Sequence, residues 1–185
     1  MTQRVFPSPK LFPAPGLAAV SACGLPCRID VLNSKGVERY FDFTELARAE
    51  ENRSVCGVDE PVIQVGEYRT WMRNLGVTPP GRPVVLGIRS GRAWFLNDAE
   101  GTEVPWFLNS SIQQLEECIA AYAEFYSGHS SFADAEKALL VLVGRLGRID
   151  PAVFSIRGGP RLLWKAWVEN LALDLGVQSP LQSDG

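Results

Sequence analysis

The side chains of this 185-residue chain with the strongest potential for nucleophilic or metal chemistry are four cysteines and a single histidine, His129. Cys23 and Cys27 are spaced as two zinc ligands can be, but a tetrahedral site needs further ligands and the chain has no second close cysteine pair. We therefore expect no metal ion and no cofactor. His129 falls between two predicted helices, where a solvated loop histidine is the ordinary outcome.

The sequence contains none of the common catalytic motifs. It has no Gly-x-Ser-x-Gly turn, no phosphate-binding glycine loop and no His-Glu-x-x-His helix, and its carboxylates form no distinctive pair. We therefore predict that the protein is not an enzyme. A small hydrolase is the open alternative, because catalytic partners can meet only in the folded chain. Its reactive groups would come from Cys23, Cys27, Cys56 or His129.

The composition is that of an ordinary globular protein, with 46% apolar residues, 21% charged residues and a formal net charge of −3. This acidic balance argues against direct binding to nucleic acid, which needs clustered Lys and Arg. No apolar run is long enough to span a membrane, and prolines interrupt the N-terminal segment that a leader would keep apolar. We expect a cytoplasmic protein with reduced thiols, and no contact with nucleic acid or membrane.

Hydrophobic patterning predicts an α+β fold with a helical C-terminal third. We expect a hairpin of 28–32 and 37–43, a strand over 61–68, and then three short strands that form an antiparallel meander with a turn at Ser90-Gly91. A twisted, mainly antiparallel sheet packed by helices should result. The predicted organisation is a Pro-rich arm (1–16), one domain (17–175) and a polar tail (176–185).

Two helices are predicted in the last third of the chain. The first, Phe132 to Leu146, is dense in Ala, Leu and Val, which indicates burial over much of its circumference. The second opens at Pro160 and ends at Gly176, since proline suits a first helical turn and glycine a helix end. Between them, Asp150 should cap a short helical turn.

The segment from Trp106 to Ser111 passes from an apolar strand into a polar cap and then directly into a helix. Ser110 or Ser111 can cap this helix, with Gln113 or Gln114 three residues on, as in a capping box. Asn109, Ser110 and Ser111 are therefore predicted to be structural. Cys118 falls on the apolar face of the helix and should be a small buried hydrophobe.

Aromatic residues near acidic ones point to a protein-binding surface. Most of the five tryptophans should pack in the core, but an aromatic anchor with an acidic rim is also typical of an interface. We predict that such a surface occupies an exposed sheet face and its turns. The candidate residues are Glu67, Tyr68, Trp71, Trp94, Asp98, Glu100 and Glu103.

The order of motifs resembles the SUKH superfamily of bacterial immunity proteins, in particular its fourth family. The resemblance rests on Phe107–Ser111 with the helix behind it, and on weaker matches at Gly24-Leu25-Pro26, Tyr40–Phe43 and Ile149–Ala152. It spans most of residues 17–172. It implies a SUKH-like α+β domain with no catalytic residues to carry over.

This resemblance also implies a function. Such proteins bind and neutralise a cognate polymorphic toxin, often a nuclease or a nucleic-acid deaminase, by occluding it. An acidic inhibitor suits a basic target, because complementary fields speed encounter. An adaptor that binds a peptide or another protein on the same scaffold is the alternative from another class.

Overall fold

A computed structural model describes residues 3–6, 18–34, 37–44, 53–72, 79–99, 102–128, 134–155 and 161–181. The strands are β1 (Arg4–Val5), β2 (Leu25–Pro26), β3 (Arg28–Ser34), β4 (Val37–Asp42), β5 (Val62–Met72), β6 (Arg82–Gly87), β7 (Ala93–Ala99), β8 (Thr102–Asn109) and β9 (Arg161–Leu162). The helices are α1 (Ala18–Cys23), α2 (Ile112–Gly128), α3 (Ala135–Ile149) and α4 (Leu163–Leu175), with a 3₁₀ helix at Pro151–Phe154.

Within the described ranges, seven strands form one sheet in the spatial order β3-β4-β5-β6-β7-β8-β9. Neighbouring strands are antiparallel from β3 to β8, and β9 adds to β8 in parallel. Helices α2 and α4 pack against this sheet, and α3 packs against α2, α4 and the 3₁₀ helix. The predicted fold class is confirmed: α+β, with a mainly antiparallel sheet and a helical C-terminal third.

The predicted hairpin and meander are present. β3 pairs with β4, although residues 35 and 36 of the turn lie outside the described residues. β6, β7 and β8 are consecutive antiparallel neighbours. Gly91 in the turn after β6 has φ 72°, a left-handed conformation that glycine adopts without a steric penalty.

The arm and the tail both contribute described residues to the packing. β1 pairs with β2, and Arg4 donates to the carbonyl oxygens of Cys23 (2.6 Å) and Gly24 (2.9 Å). At the other end, Val177 and Leu181 pack against the core. The chain therefore uses short pieces of both terminal segments to close the fold.

The last helix begins later than the sequence suggested. The expectation that it opens at Pro160 is wrong, because Arg161 and Leu162 pair in parallel with Trp106 and Phe107 before α4 starts at Leu163. Its end agrees with the prediction, since Gly176 caps it with φ 67°. The preceding helix is α3, and residues 132 and 133 of its predicted span lie outside the described residues.

The two faces of the sheet are covered differently. Directly opposed residues of an antiparallel pair share a face, so Phe41 and Tyr68 lie on the same one. Both rings contact Trp167 of α4, with centroids 6.3 and 5.5 Å from it. This face is the one covered by helices. On the opposite face, residues 53–60, hereafter the covering segment, lie over part of the sheet.

In the described part of the chain, no helix is long and apolar enough to cross a membrane.

Candidate binding surface

The strand-to-helix junction determines which surfaces remain available for binding. Ser111 is the residue that caps α2: its Oγ accepts a hydrogen bond from the Gln114 backbone N–H (3.3 Å) and donates to Gln114 Oε1 (3.0 Å). The Gln114 amide then donates to the Ile149 carbonyl oxygen at 2.9 Å. The cap therefore joins the start of α2 to the end of α3.

Ser110 has a different partner, the buried carboxylate of Asp150. Asp150 Oδ2 accepts from the Ser110 backbone N–H (2.6 Å) and from Asn109 Nδ2 (3.2 Å). Its Oδ1 accepts from Ser110 Oγ (3.0 Å) and from the Ala152 backbone N–H (3.1 Å). With 1% of Asp150 exposed, each carboxylate oxygen accepts two bonds from the protein itself. A carboxylate so fully bonded is structural.

Asn109 connects this junction to α4. It is fully buried, and its Oδ1 accepts a hydrogen bond of 2.9 Å from the indole N–H of Trp164. Its Nδ2 also lies 3.4 Å from Cys118 Sγ. Burial raises the pKa of the Cys118 thiol to about 12, so this thiol is protonated at neutral pH and is a poor nucleophile. The junction thus holds β8, α2, the 3₁₀ helix and α4 together.

Sequence reasoning identified Asn109, Ser110 and Ser111 as structural but did not connect them to Asp150. Asp150 was predicted to cap a helical turn, and it does accept from Ala152 N–H at the start of the 3₁₀ helix. Its second role is to accept hydrogen bonds from Ser110, which lies 40 positions earlier in the chain. No local spacing could indicate that contact.

The candidate interface residues do not form one surface. Glu67 and Tyr68 are consecutive in β5, so their side chains point to opposite faces of the sheet. The ring of Tyr68 lies on the helix-covered face, 5.2 Å from the Phe41 centroid and 5.8 Å from that of Phe95. Burial raises the pKa of its hydroxyl. Tyr68 is therefore a core residue, whereas Glu67 lies on the other face.

Trp94 is also mostly buried, which corrects its assignment as an exposed anchor. Only 7% of it is exposed, its ring packs edge-on against Phe107 with centroids 5.5 Å apart, and it lines a cleft together with the covering segment. Glu103 helps to hold that segment, since both its carboxylate oxygens accept from Arg53 Nη1, at 3.0 and 2.9 Å. Trp94 and Glu103 therefore both contact the covering segment on the sheet face opposite the helices.

Glu60 holds the other end of the covering segment. Its carboxylate accepts from the backbone N–H groups of Arg89 (2.8 Å) and Ser90 (3.0 Å) and from the Ser90 hydroxyl. Burial alone would favour protonation, but the Ser90 and backbone hydrogen bonds, with the Arg89 guanidinium nearby, hold the pKa of Glu60 below its usual value. The covering segment is therefore attached at both ends.

Three further candidates are not described at the level of side chains. Trp71 pairs through its backbone with Glu38, and Asp98 pairs with Glu103, but their side chains lie outside the described structure. Glu100 lies wholly outside the described residues, as does His129.

On the sheet face opposite the helices, the half formed by β3, β4 and β5 carries half-buried and exposed polar side chains. Strand register places Arg28 opposite Asp42, Asp30 opposite Tyr40, and Tyr40 opposite Arg69. We call this patch the open sheet face. It consists of Arg28, Asp30, Glu38, Tyr40, Asp42, Glu67 and Arg69.

Each guanidinium of the open sheet face lies between two carboxylates. Arg28 contacts Asp30 at 2.6 Å and Glu38 at 3.3 Å. Arg69 lies 2.8 Å from Glu67 and 3.8 Å from Asp42. The patch therefore has four carboxylates and two guanidiniums, which gives it an acidic excess.

An aromatic ring lies within this charged patch. The Arg28 guanidinium carbon stands 3.8 Å from the centroid of the Tyr40 ring, a cation–π arrangement. Asp42 and Glu67 are directly opposed across β4 and β5, and the Arg69 guanidinium compensates their like charges. Sequence reasoning found Glu67 here but missed Asp30, Tyr40 and Asp42, whose alternation along β3 and β4 was the available signal.

The four cysteines are all free thiols that differ in exposure. Cys23 and Cys56 are exposed, Cys27 is half-buried and Cys118 is buried. Among the residues the structure describes, no group of three or more His, Cys, Asp or Glu side chains is arranged to hold a metal ion.

Comparisons of this chain with models of protein families, with curated proteins and with solved structures gave no match.

Proposed function

We propose that this protein is a non-catalytic inhibitor: an immunity protein that binds a cognate bacterial toxin and occludes its working surface. The toxin would be a basic protein, such as a nuclease or a nucleic-acid deaminase. The proposal places the inhibitor in the cytoplasm and assigns it no cofactor and no direct contact with nucleic acid. The sequence resemblance to the SUKH superfamily supplies the class of partner.

The observation that carries this proposal is the open sheet face. Its acidic excess favours a basic partner, and its aromatic ring at Tyr40 supplies the kind of anchor that dominates binding energy in many interfaces. The surrounding ion pairs hold Arg28 and Arg69 in place before a partner arrives. Less side-chain freedom is then lost on binding.

The absence of spare reactive groups at the polar junction also favours binding over catalysis. The buried carboxylate of Asp150 is fully bonded, and the buried thiol of Cys118 is protonated at neutral pH. Both groups therefore act in holding the sheet to the helices. That rigid support suits a surface used for recognition.

The first experiment is co-expression with the protein encoded by the adjacent reading frame; a toxin-like domain there favours the inhibitor, and its absence favours the adaptor. We expect this chain to restore growth and to co-purify with the neighbouring protein. Asp30→Arg should slow association about tenfold at low salt, with the effect shrinking as salt is added, because 62% of the Asp30 side chain is exposed and its charge acts through solvent. Tyr40→Ala should weaken binding at least about tenfold if Tyr40 is an anchor.

The matched control is Asp174→Arg, which reverses an exposed carboxylate on α4, outside the open sheet face. It should bind and rescue like the wild type. Failure of the wild type to rescue growth or to form a complex would refute the proposal. A complex without rescue would favour the adaptor, and turnover lost on alkylation of the cysteines would favour the hydrolase.

A further inference from the structure

Helix α3 exposes apolar residues that nothing in the described structure covers. Leu140 is 53% exposed and Val141 is 62% exposed, while Leu139, Leu142 and Leu146 on the other side of the helix are buried. The expectation that this helix is buried over much of its circumference is therefore wrong on this side. The exposed stripe lies in the helix layer, on the other side of the sheet from the open sheet face.

Gly144 lies one turn beyond Leu140 on the same stripe. A Cβ atom built at Gly144 would meet no other described part of the chain within 4 Å, so packing against the described residues does not require glycine there. Glycine within a helix is destabilising relative to alanine, because it loses more backbone freedom on folding. A second helix crossing at this point would account for it, because the missing side chain allows two helix backbones to come close.

The two ends of this stripe carry opposite net charge. Asp134, Glu136 and Lys137 are exposed at the start of α3 and leave that end acidic, whereas Arg148 lies in the last turn. Neither Glu136 nor Arg148 forms an ion pair with another described residue, and the Arg148 side chain instead donates to the Gly144 carbonyl oxygen at 3.2 Å. An antiparallel second copy would bring opposite charges together at both ends and would also oppose the two helix dipoles favourably.

We propose that α3 is a self-association surface, on which two copies of this chain pack their α3 helices antiparallel about a two-fold axis. An axis at position 142 sets Leu140 against Gly144 of the partner subunit. It also sets Glu136 against Arg148 of the partner subunit. In each of these two pairs, the two positions lie equally far from 142 along the helix. Val141 fills the remaining space beside them. This contact is separate from the proposed toxin-binding function and uses a different face.

The contact should be weak, because a single helix from each subunit buries less than the roughly 1,200–2,000 Å² of a stable interface. A dissociation constant of about 10–100 µM is expected for such a contact. Sedimentation velocity from about 5 to about 500 µM covers that range. We expect a concentration-dependent shift from monomer to dimer for the wild type.

Two substitutions test the apolar centre. Leu140→Glu should abolish the dimer and keep the monomer folded, because the side chain is exposed. Gly144→Ala should raise the urea midpoint of the monomer, where space is open and helix propensity improves, yet weaken dimerisation about tenfold or more. A purely structural role for Gly144 would not produce these opposite effects.

Charge reversal tests the antiparallel arrangement. Glu136→Arg and Arg148→Glu should each be monomeric alone, because each homodimer would oppose like charges. Mixing the two variants should restore a heterodimer, since each then supplies the charge that the other lacks. Asp174→Arg on α4 is the control and should dimerise like the wild type.

A wild type that stays monomeric at about 500 µM overturns the proposal, since the expected dissociation constant lies well below that concentration. A dimer unaffected by Leu140→Glu overturns it as well, because it would use another surface. Failure of the mixed variants to associate would exclude the antiparallel register. None of these outcomes bears on toxin binding, which is scored separately by growth rescue.

Discussion

Replacement of Asp150 is the sharpest test of the polar junction. The carboxylate accepts bonds from two backbone N–H groups, those of Ser110 and Ala152, from the Asn109 amide and from the Ser110 hydroxyl. Asp150→Ala removes all of these acceptors and leaves three N–H donors in a buried or half-buried place. Each such donor costs about 1–3 kcal/mol when it loses its partner, so we expect a loss of about 4 kcal/mol after partial relaxation.

Asp150→Asn should cost less. The amide oxygen of the new Asn can take the place of Oδ2 and accept from the Ser110 backbone N–H and the Asn109 amide. Its nitrogen then takes the place of Oδ1 and donates to Ser110 Oγ, so only the bond from the Ala152 N–H is lost. We expect about 1–2 kcal/mol for this variant. The surface control Asp174→Asn should stay within about 0.5 kcal/mol of the wild type.

Equilibrium urea unfolding, followed by tryptophan fluorescence and circular dichroism, measures these differences. The ranking matters more than the absolute values, because domains of this size have only about 5–15 kcal/mol of stability in total. A cost below about 1 kcal/mol for Asp150→Ala, or equal costs for the Ala and Asn variants, would refute the hydrogen-bond account of the junction.

Three other predictions concern named groups. Ser111→Ala should lower the free energy of unfolding by about 1 kcal/mol while Ser111→Asp retains most of it, since Asp can also cap; equal losses in urea titrations would exclude capping at this residue. Glu60→Gln should lower the urea midpoint at pH 7. The gap between the urea midpoints of the variant and the wild type should shrink as the pH falls below about 4.5, because a carboxyl whose pKa is lowered in the folded state loses its stabilising effect when it is protonated. A gap that does not change with pH would contradict this. Iodoacetamide should label Cys56 and spare Cys118 in the native protein, as mass spectrometry can measure, since Cys118 is buried and its thiol has a pKa of about 12; equal labelling rates would contradict it.

Local patterns in the sequence predicted the order of the main strands and helices, but not the short elements β1, α1, β2 and β9, nor the extension of β5 to Met72. Alternation and turn residues indicated the meander, and Gly91 and Gly176 mark a turn and a helix end because each has a positive φ. Strand alternation, turns and helix ends depend on residues within a few positions in the chain, so the sequence can indicate them. The start of α4 was misplaced because a long-range pairing with β8 holds Arg161 and Leu162 extended.

The candidate surface was harder to predict than the fold. Trp94 and Tyr68 resemble interface residues by type, but the covering segment and α4 bury them. The open sheet face instead collects side chains from three strands, and only strand register places Asp30, Tyr40 and Arg69 next to one another.

The sequence alone determined the class of fold, a serine cap at Ser110 or Ser111 and the acidic character of the chain, because these follow from composition and from spacing along the backbone. Only the tertiary structure decided which aromatic rings are covered, that Asp150 bonds Ser110, and that Leu140 and Val141 remain exposed. The physical reason is that burial and hydrogen bonding depend on residues distant in the chain. Their approach is fixed by packing, which no local pattern records.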